Sequence, residues 1–408
     1  RVQPPDGNHL EESGGDGGMK FTEYVEVNPK TNLKKGEYAP FVEMANVSIT
    51  YREPEKIENK KYTSGPKFQN GDSVVARIEP CLQNGKKFFW KSDKIGFGST
   101  EYIVFRAKEG KMDSKYLFYL LKTDYIKKSM VSSMVGATGR QRVNNDIFGQ
   151  IEIVVPNIEK QKKIGRTLFL YDDLIENNRK QIKLLEEAAQ RLYKEWFVDL
   201  NFPGHENTKI VDGVPEGWNW CKLEDAIQLD PKVTLTKERM KQFIPMSALS
   251  TASMVLDESQ FTETTSNSGS KFQNGDTLLA RITPCLENGK TAYVSGLKSD
   301  EGAVGSTEYI VMRAKTINSY MVYLLARTDD FRQSAINSMS GSDGRQRVKS
   351  DKLKMLDYLH PTSELVEKFE NVEEPIFEKI YRLSEQMQQA KQARDLLLPK
   401  LMRGEVEV

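Results

Sequence analysis

Residues 67–86 read KFQNGDSVVARIEPCLQNGK and residues 271–290 read KFQNGDTLLARITPCLENGK, so that 15 of the 20 positions carry the same residue. The two stretches lie 204 residues apart in a chain of 408 residues, which means that the second half of the sequence repeats the first. A repeat with so long and regular a period indicates that whole domains were duplicated. Two further matches continue it in the same order, GSTEYIV at 98–104 and 305–311, and GRQRV at 139–143 and 344–348.

The residue types within each copy predict a mixed fold. In the first copy, residues 73–78 and 102–106 are β-like runs, and residues 116–129 have a helical pattern. Asn-Gly pairs at 70–71 and 84–85 are turn signals between these segments. We therefore predict two homologous globular domains of the α+β class.

A different pattern follows each copy, after Pro156 and after Pro361. From Ile164, apolar residues recur at alternating steps of four and three, which is the spacing of a heptad seam. The C-terminal segment repeats this seam, with Glu373 and Arg394 as polar interruptions. The residues that we expect to be buried in the two seams include Ile175, Ile182, Leu185, Leu192, Ile380, Met387 and Leu397.

Two long helices with matching apolar seams can bury those seams against each other, whereas one helix alone would expose its seam to water. Because the helices end duplicated units, a pseudo-two-fold axis between them predicts an antiparallel coiled coil that separates the two domains. The alternative is that each helix packs only on its own domain. Pro375 is expected in the first turn of the main C-terminal helix, where its missing N–H does no harm.

The patterns together predict five segments. Residues 1–18 are rich in glycine and acidic residues, which is typical of a disordered linker or of a tail left by an expression vector. The predicted order is this tail at 1–18, the first domain at 19–155, a central helical region at 156–202, the second domain at 203–360 and a C-terminal helical region at 361–408.

Composition is that of a globular protein, with 38% hydrophobic and 29% charged residues and a formal net charge of +1. The sequence contains no run of 18 apolar residues, so no membrane span is predicted. The three cysteines form no CxxC pair, and an odd number argues against a disulfide framework. A reducing cytoplasm fits this cysteine usage best.

Motifs for catalysis are missing from the sequence. It has no phosphate-binding GxxxxGK[ST] loop, no GxGxxG, no GxSxG and no Asn-Pro-Pro-aromatic or Asp-Pro-Pro-aromatic signature of amino-methyltransferases. Of the three histidines, His9 lies in the predicted tail, and His205 and His360 have no carboxylate or cysteine clusters at metal-ligand spacing. Cys81 and Cys285 lie in apolar stretches that favour core packing. We therefore predict a chain without catalytic residues, bound metal or cofactor.

Basic and amide groups do recur beside glycine turns. Five of them flank the Asn-Gly turns, where they could contact phosphates, or could be solvated residues of ordinary hairpin turns. Six belong to the GRQR segments, where arginine could bind guanine and glutamine could bind adenine in the major groove, or where the arginines hold only phosphates. The candidate DNA-binding residues are Arg77, Lys86, Lys87, Arg281 and Lys290, and Arg140, Gln141, Arg142, Arg345, Gln346 and Arg347.

The combination of ARIxPCLxNGK, GSTEYIV and GxxGRQRV in two tandem domains, each followed by a long helix after a proline, resembles the specificity (S) subunits of type I restriction-modification systems. The second half also opens with Val214-Pro215-Glu216-Gly217-Trp218, which is similar to the VPxGW segment before a target-recognition domain of that family. The resemblance extends over essentially everything after Met19.

The resemblance implies a DNA sequence-specificity subunit in which each domain binds one half of a bipartite site of double-stranded DNA and the coiled coil sets the spacer. Two modification (methyltransferase) subunits would dock on the helical regions and bring S-adenosylmethionine. A restriction (translocase and nuclease) subunit with ATP and magnesium could join them. The alternatives are a coiled-coil protein-interaction scaffold without sequence-specific DNA binding, and a self-sufficient nuclease or methyltransferase.

Overall fold

The computed structural model describes residues 18–137, 139–342 and 346–407. The chain divides into two compact units, the first formed by residues up to 177 together with those from 387 onward, and the second by residues 178–386. Except for Gly18, the predicted tail lies outside the described residues. None of the described helices is both long and apolar enough to cross a membrane.

The first unit contains an α+β domain of short strands and short helices. A break at residues 121–123 divides the segment predicted as one helix at 116–129 into two helices. Short 3-10 turns lie at Met44–Asn46 and Asn145–Gly149. The elements in chain order are β1 (Met19–Lys20), α1 (Phe21–Tyr24), β2 (Val25–Val27), β3 (Tyr38–Val42), β4 (Glu58–Lys61), β5 (Lys67–Phe68), β6 (Ser73–Ala76), β7 (Lys87–Phe89), β8 (Gly96–Gly98), β9 (Tyr102–Ala107), α2 (Ser114–Leu120), α3 (Asp124–Ser132), β10 (Met134–Val135), β11 (Arg142–Val143) and β12 (Glu152–Ile153).

Two four-stranded sheets form the frame of this domain. One is antiparallel with the order β2-β9-β6-β7, and the other has the order β4-β3-β8-β5 with β3 and β8 parallel. Strand β6 is buried at every position because both of its neighbours pair with it and both of its faces are covered. Aromatic residues fill the space beside it, with Phe88 and Trp90 among the fully buried side chains.

The repeated Asn-Gly-Asp turn has a structural role in both domains. Gly71 has a φ of +90°, a backbone conformation that favours glycine, and it brings Asp72 into the domain interior. Asp72 is fully buried and accepts two hydrogen bonds from Arg106 at 2.8 and 2.7 Å. Asp276 and Arg313 form the same bidentate pair in the second domain, at 2.7 Å for both bonds. The turn therefore anchors one strand of each main sheet to its neighbour.

Helix α4 (Ile158–Tyr193) follows the first domain and contains 36 residues. It begins after Asn157, whose side chain accepts a hydrogen bond from the Lys160 backbone N–H at 2.9 Å, as expected of an N-cap. A π-helical turn at Lys194–Val198 extends it. The helix is therefore close to the length of about 35 residues expected from the heptad seam.

The second domain repeats the first in its elements. Short 3-10 turns lie at His205–Asn207, Met246–Ala248 and Glu258–Gln260. The elements in chain order are β13 (Ile210–Val211), β14 (Val214–Pro215), β15 (Asn219–Lys222), α5 (Leu223–Ala226), β16 (Ile227–Leu229), β17 (Lys241–Ile244), β18 (Thr262–Thr264), β19 (Ser270–Phe272), β20 (Thr277–Ala280), β21 (Thr291–Tyr293), β22 (Ala303–Gly305), β23 (Tyr309–Ala314), α6 (Ser319–Arg327), α7 (Asp329–Asn337), α8 (Ser350–Lys354) and β24 (Asp357–His360).

Its sheets have the orders β16-β23-β20-β21 and β18-β17-β22-β19, which match the two sheets of the first domain strand for strand. The parallel pair recurs as well, between β17 and β22. The prediction of two homologous α+β domains from the sequence repeat is therefore confirmed.

Helix α9 (Ser363–Met402) contains 40 residues and begins earlier than predicted, so Pro375 lies inside the helix and not in its first turn. An N-cap signal explains the early start, because the Thr362 side chain accepts a hydrogen bond from the Leu365 N–H at 3.4 Å. Proline inside a helix costs about 3 kcal/mol. Burial of Leu365, Val366 and Phe369 before the proline offsets that cost.

In the first unit, part of α4 and the end of α9 pack together. Asp172 and Arg394 form an ion pair between the two helices, and Leu401 belongs to the same core cluster as Ile164 and Leu168. Positions on α9 fall as positions on α4 rise, so the helices are antiparallel. The same stretch of α4 also packs on its own domain, where Phe169 contacts three aromatic rings.

In the second unit, the later part of α4 pairs with the earlier part of α9 in the same antiparallel sense. Asn178 donates a hydrogen bond to the Leu383 carbonyl at 3.3 Å, and the ring of Phe369 lies 6.1 Å from that of Tyr193. The alternative in which each helix packs only on its own domain is therefore excluded. Of the predicted seam residues of both units, Ile175, Ile182, Ile380 and Met387 are buried, and Leu185, Leu192 and Leu397 are half-buried.

Glu373 is a fully buried carboxylate of α9 whose two oxygens have no hydrogen-bond partner among the described residues. Burial raises the pKa of Glu373 to about 7. Because this folded-state pKa lies above the unfolded one, the charge of the carboxyl group costs no stability below about pH 4.5 and costs progressively more as the pH rises to 7.

We expect Glu373→Met to raise the free energy of unfolding by about 1–3 kcal/mol at pH 8 and by much less at pH 5, because it removes an unpaired buried charge. Urea denaturation of both proteins at the two pH values would measure this, with Glu374→Met at the neighbouring exposed position as the control. An equal effect of Glu373→Met at both pH values would contradict the assignment.

Candidate nucleic-acid interface

The GRQR segment of the first domain forms the tip of a small hairpin. Strands β10 and β11 pair in antiparallel fashion, and residues 136–141 connect them. The inner edge of β11 is held by the segment that follows β6, because Val143 N–H donates to the Arg77 carbonyl at 2.9 Å. The Glu79 N–H likewise donates to the Gln141 carbonyl at 3.0 Å. The base of the hairpin is therefore fixed by backbone hydrogen bonds, while its tip is exposed.

Arg142, at the base of the hairpin, is bound to Glu101 of the GSTEY motif. Its Nε lies 3.0 and 2.9 Å from the two carboxylate oxygens, and its Nη2 lies 2.7 Å from Oε1. Its Nη1 also donates to the Arg140 carbonyl at 3.3 Å, which ties the same guanidinium to the tip. The hydrogen bonds and charge of Glu101 raise the pKa of Arg142.

The second domain contains the same ion pair at the equivalent residues. Arg347 binds Glu308 at 3.0, 2.9 and 2.7 Å, and this partner lowers the pKa of Glu308. The Thr283 N–H donates to the Gln346 carbonyl at 3.1 Å, as Glu79 does to Gln141 in the first domain. Arg345 lies outside the described residues, so its predicted role stays a prediction.

Arg140 and Gln141 lie at the exposed tip. Arg140 is exposed, and no hydrogen bond or ion pair of its guanidinium is found within the described part of the chain. Gln141 is half-buried, and its Nε2 lies 3.5 Å from the Gly136 carbonyl. Among the candidate residues of the first domain, these two side chains therefore make the fewest and longest hydrogen bonds within the described part of the chain.

The other candidate residues bind the backbone of their own domain. Arg77 donates to the Val143 carbonyl at 3.2 Å and Arg281 to the Val348 carbonyl at 3.1 and 2.8 Å. These bonds support the hairpin from inside and leave less of each guanidinium for an external phosphate. Contact of these arginines with DNA stays a prediction.

The lysines beside the Asn-Gly turns are similarly engaged. Lys86 and Lys290 donate to the Met44 and Met246 carbonyls at 2.8 and 2.9 Å. Lys87 donates to the Leu121 carbonyl at 3.0 Å, and burial, with the nearby charges of Lys122 and Lys127, lowers its pKa to about 7. These lysines are therefore not the solvated turn residues of the second alternative, and their contact with phosphates stays a prediction.

The histidines of the second domain make local contacts. No group of three or more His, Cys, Asp or Glu side chains in the described ranges could hold a metal ion. His360 accepts or donates one hydrogen bond with Thr316 at 2.8 Å, and His205 contacts the Phe202 carbonyl at 2.9 Å. Both are ordinary structural contacts.

Glu101 and Glu308 are the residues of this site that sequence reasoning missed. Both lie within the repeated GSTEYIV stretch, which by itself indicates only the duplication and the family resemblance. Each copy of the repeat contains both this glutamate and the second arginine of GRQR, and that recurrence is the sequence signal from which the pairs could have been predicted. Their separation of 41 and 39 residues from Arg142 and Arg347 hid the pairs from any local pattern.

Comparisons with known proteins point to one family of DNA specificity subunits. A family model described as the type I restriction modification DNA specificity domain matches residues 25–187. The chain is 27% identical over 305 residues to the type I restriction enzyme MjaIX specificity subunit of Methanocaldococcus jannaschii, an alignment that covers 72% of this chain and 69% of that protein. It is 35% identical over 140 residues to the type I restriction enzyme EcoAI specificity subunit of Escherichia coli, covering 33% of this chain and 24% of that protein.

A solved structure of similar fold is also known. The S subunit of a type I restriction-modification system from M. genitalium superposes with a TM-score of 0.59 at 15% sequence identity. The superposition covers 97% of this chain and 98% of that one.

Proposed function

Since this chain belongs to the family of type I restriction-modification specificity subunits, we propose that it selects the DNA sequence on which such a complex acts. The observation that carries this proposal is the pair of equivalent Arg-Glu ion pairs, one in each homologous domain, at the second arginine of the repeated GRQR sequence. Two equivalent binding elements in one chain suit a bipartite site, with one half read by each domain.

The hairpin tips supply the groups that read bases. A guanidinium can bind guanine bidentately, and a carboxamide can bind adenine bidentately, each worth about 1–3 kcal/mol of discrimination. Arg140 is exposed at the tip, and Gln141 follows it. The second domain offers Gln346 at the equivalent place, next to Arg345. The divergent segments 91–97 and 295–304 could then make the two half-sites differ.

The long helices set the spacer between the half-sites in this proposal. Both α4 and α9 contribute to both units, and their seams pair in antiparallel fashion in each of them. A pair of helices stiffened by mutual burial keeps its length better than a single helix. The spacer of the DNA site would follow that length.

The chain itself supplies no catalytic group in this proposal, so methylation and cleavage come from partner subunits. Modification subunits would bring S-adenosylmethionine, and a restriction subunit would bring ATP and magnesium. Exposed leucines on the helices of the first unit suit the docking of a protein partner. Leu170, Leu174 and Leu396 are 60%, 42% and 68% exposed.

We expect the full chain to select duplexes from a random-sequence pool that share two conserved blocks separated by a fixed gap. Arg140→Ala should lower the preference for the favoured base at one position of one block by about 5- to 150-fold, because it removes one bidentate contact. Sequencing of the selected pool measures both outcomes, and Arg166→Ala on α4 is the control for the loss of an exposed arginine.

Affinity for the selected duplex should also fall steeply with salt, since phosphate contacts release counterions. If the selected duplexes share no sequence and binding does not depend on salt, the proposal is wrong and a protein-interaction scaffold is favoured.

A further inference from the structure

We propose that Glu101 is a positioning residue that fixes the tip of the first-domain hairpin for base reading, that Glu308 has the same role in the second domain, and that Arg142 and Arg347 brace these segments and do not read bases. This inference rests on the proposed function, because it assigns the parts of one site. Within the GRQR segment, the first arginine and the glutamine would contact bases, and the second arginine would stabilise the hairpin.

The duplicated geometry supports a structural role for the second arginine. The three bond lengths of the Arg142–Glu101 pair are 3.0, 2.9 and 2.7 Å, and those of the Arg347–Glu308 pair are the same. Both arginines bind a planar carboxylate with two parallel donors, the geometry that gives such pairs their specificity. A guanidinium held in this way has little capacity left for the edge of a base.

The position of the pair in the hairpin shows what it stabilises. Arg142 lies opposite Ile78 on the neighbouring segment, so its main chain belongs to the fixed base of the hairpin. Its Nη1 bond to the Arg140 carbonyl links Glu101 to the tip through a single side chain. Loss of the carboxylate would therefore release the tip without removing any group that touches DNA.

The charge of Glu101 and Glu308 is a second argument. A carboxylate at a DNA-binding surface repels phosphates and lowers affinity for every sequence. Both domains nevertheless carry one at the same place, with side chains 23% and 26% exposed. A positioning role accounts for the carboxylates, because an ordered tip distinguishes bases while a mobile tip does not.

The variants Glu101→Gln and Glu308→Gln separate this role from simple repulsion. If the carboxylates position the tips, Glu101→Gln weakens base preference in one block about fivefold, and Glu308→Gln does so in the other block. Binding to an unrelated 30-base-pair duplex should stay equal or become tighter, because a negative charge is lost. Glu378→Gln, which breaks an exposed Glu-Arg pair on α9, should change neither block.

A charge-swapped pair and hydrogen exchange complete the experiment. The double variant Glu101→Arg with Arg142→Glu restores the ion pair and should recover most of the base preference in that block. Without any DNA, Glu101→Gln should speed amide exchange in residues 134–143 by about fivefold, as expected for the loss of an exposed but bidentate pair.

Two results would overturn the inference. One is a Glu101→Gln protein that binds selected and unrelated duplexes more tightly by the same factor, since the carboxylate would then only repel DNA. The other is unchanged amide exchange in the hairpin, which is independent of whether the chain selects a sequence. If the wild-type chain selects no sequence but amide exchange in the hairpin is faster in Glu101→Gln, the proposed function is refuted. The structural role of the Arg142–Glu101 pair would still stand.

Discussion

Replacing Asp172 with asparagine is expected to lower the free energy of unfolding by about 3 kcal/mol. Asp172 is fully buried in the first unit, where it accepts a hydrogen bond from the Tyr119 hydroxyl at 2.6 Å and pairs with Arg394. Breaking a buried ion pair costs about 3–5 kcal/mol because one charge is left without its partner. The lower end applies here, since Arg394 keeps a second ion pair with the exposed Asp395.

Acid should weaken the same contact in the wild-type protein. Burial alone would raise the pKa of Asp172, but the positive charges of Lys122 and Arg394 and the bonds from Tyr119 and Arg394 lower it below the ordinary value. A depressed folded-state pKa contributes stability that is present above the unfolded pKa and is lost as the pH falls through the folded pKa. The difference between wild type and Asp172→Asn should therefore shrink at strongly acidic pH.

Chemical denaturation measures the effect, and the chain offers a matched control on the same helix. Arg382 forms an exposed pair with Glu378, so Arg382→Met should cost less than about 0.5 kcal/mol, whereas Arg394→Met should cost several times more. The double variant Asp172→Leu with Arg394→Met should be close to wild type in stability. Equal losses for Arg382→Met and Arg394→Met would contradict the assignment of a buried pair.

A second large effect is expected from inserting one heptad into α4 alone, between Asn177 and Asn178. Each unit pairs its own stretches of the two helices, as Asp172 with Arg394 and Asn178 with Leu383. The insertion lengthens one helix by about 10 Å, so the other helix cannot keep both sets of pairs. We expect loss of sequence selection, because one unit must give up part of its seam.

A paired insertion should restore selection with a different gap. A second heptad between Gln386 and Met387 lets both units keep their pairs, and about 10 Å corresponds to about three base pairs. Three base pairs also turn the duplex by about a third of a turn, so weaker binding should accompany the longer gap. Selection from the random pool measures the gap, and an unchanged gap in the doubly extended protein would sink the idea that the helices set the spacer.

Two sequence signals predicted the fold correctly, because one is a long internal repeat and the other is a regular spacing within a single helix. The matching stretches at 67–86 and 271–290 predicted two equivalent domains, and the heptad spacing predicted the helix pair. The start of α9 was predicted wrongly, because a proline such as Pro375 destabilises the interior of a helix and so indicates a helix start. The structure tolerates it through the burial of residues such as Phe369, which only the tertiary structure reveals.

The candidate site was predictable only in part. The hairpin tip follows from the repeated GRQR segment, but sequence could not distinguish an arginine that faces solvent from one bound to a carboxylate. That difference depends on Glu101, 41 residues away from Arg142, and on how β9 and β11 are placed in the fold. Arg77 and Lys86 were equally ambiguous, since their partners are backbone carbonyls that no residue pattern marks.

The first unit is built from two distant stretches of the chain, and this has a consequence for biosynthesis. Leu401 lies in the same apolar cluster as Phe21 and Phe105, and Leu397, Leu398, Met402 and Val406 pack against that cluster. A ribosome makes Phe21 nearly four hundred codons before it makes Leu401. The first domain therefore emerges from the ribosome with part of this apolar cluster uncovered, and we expect it to be open to chaperones and proteases until the later turns of α9 have been translated.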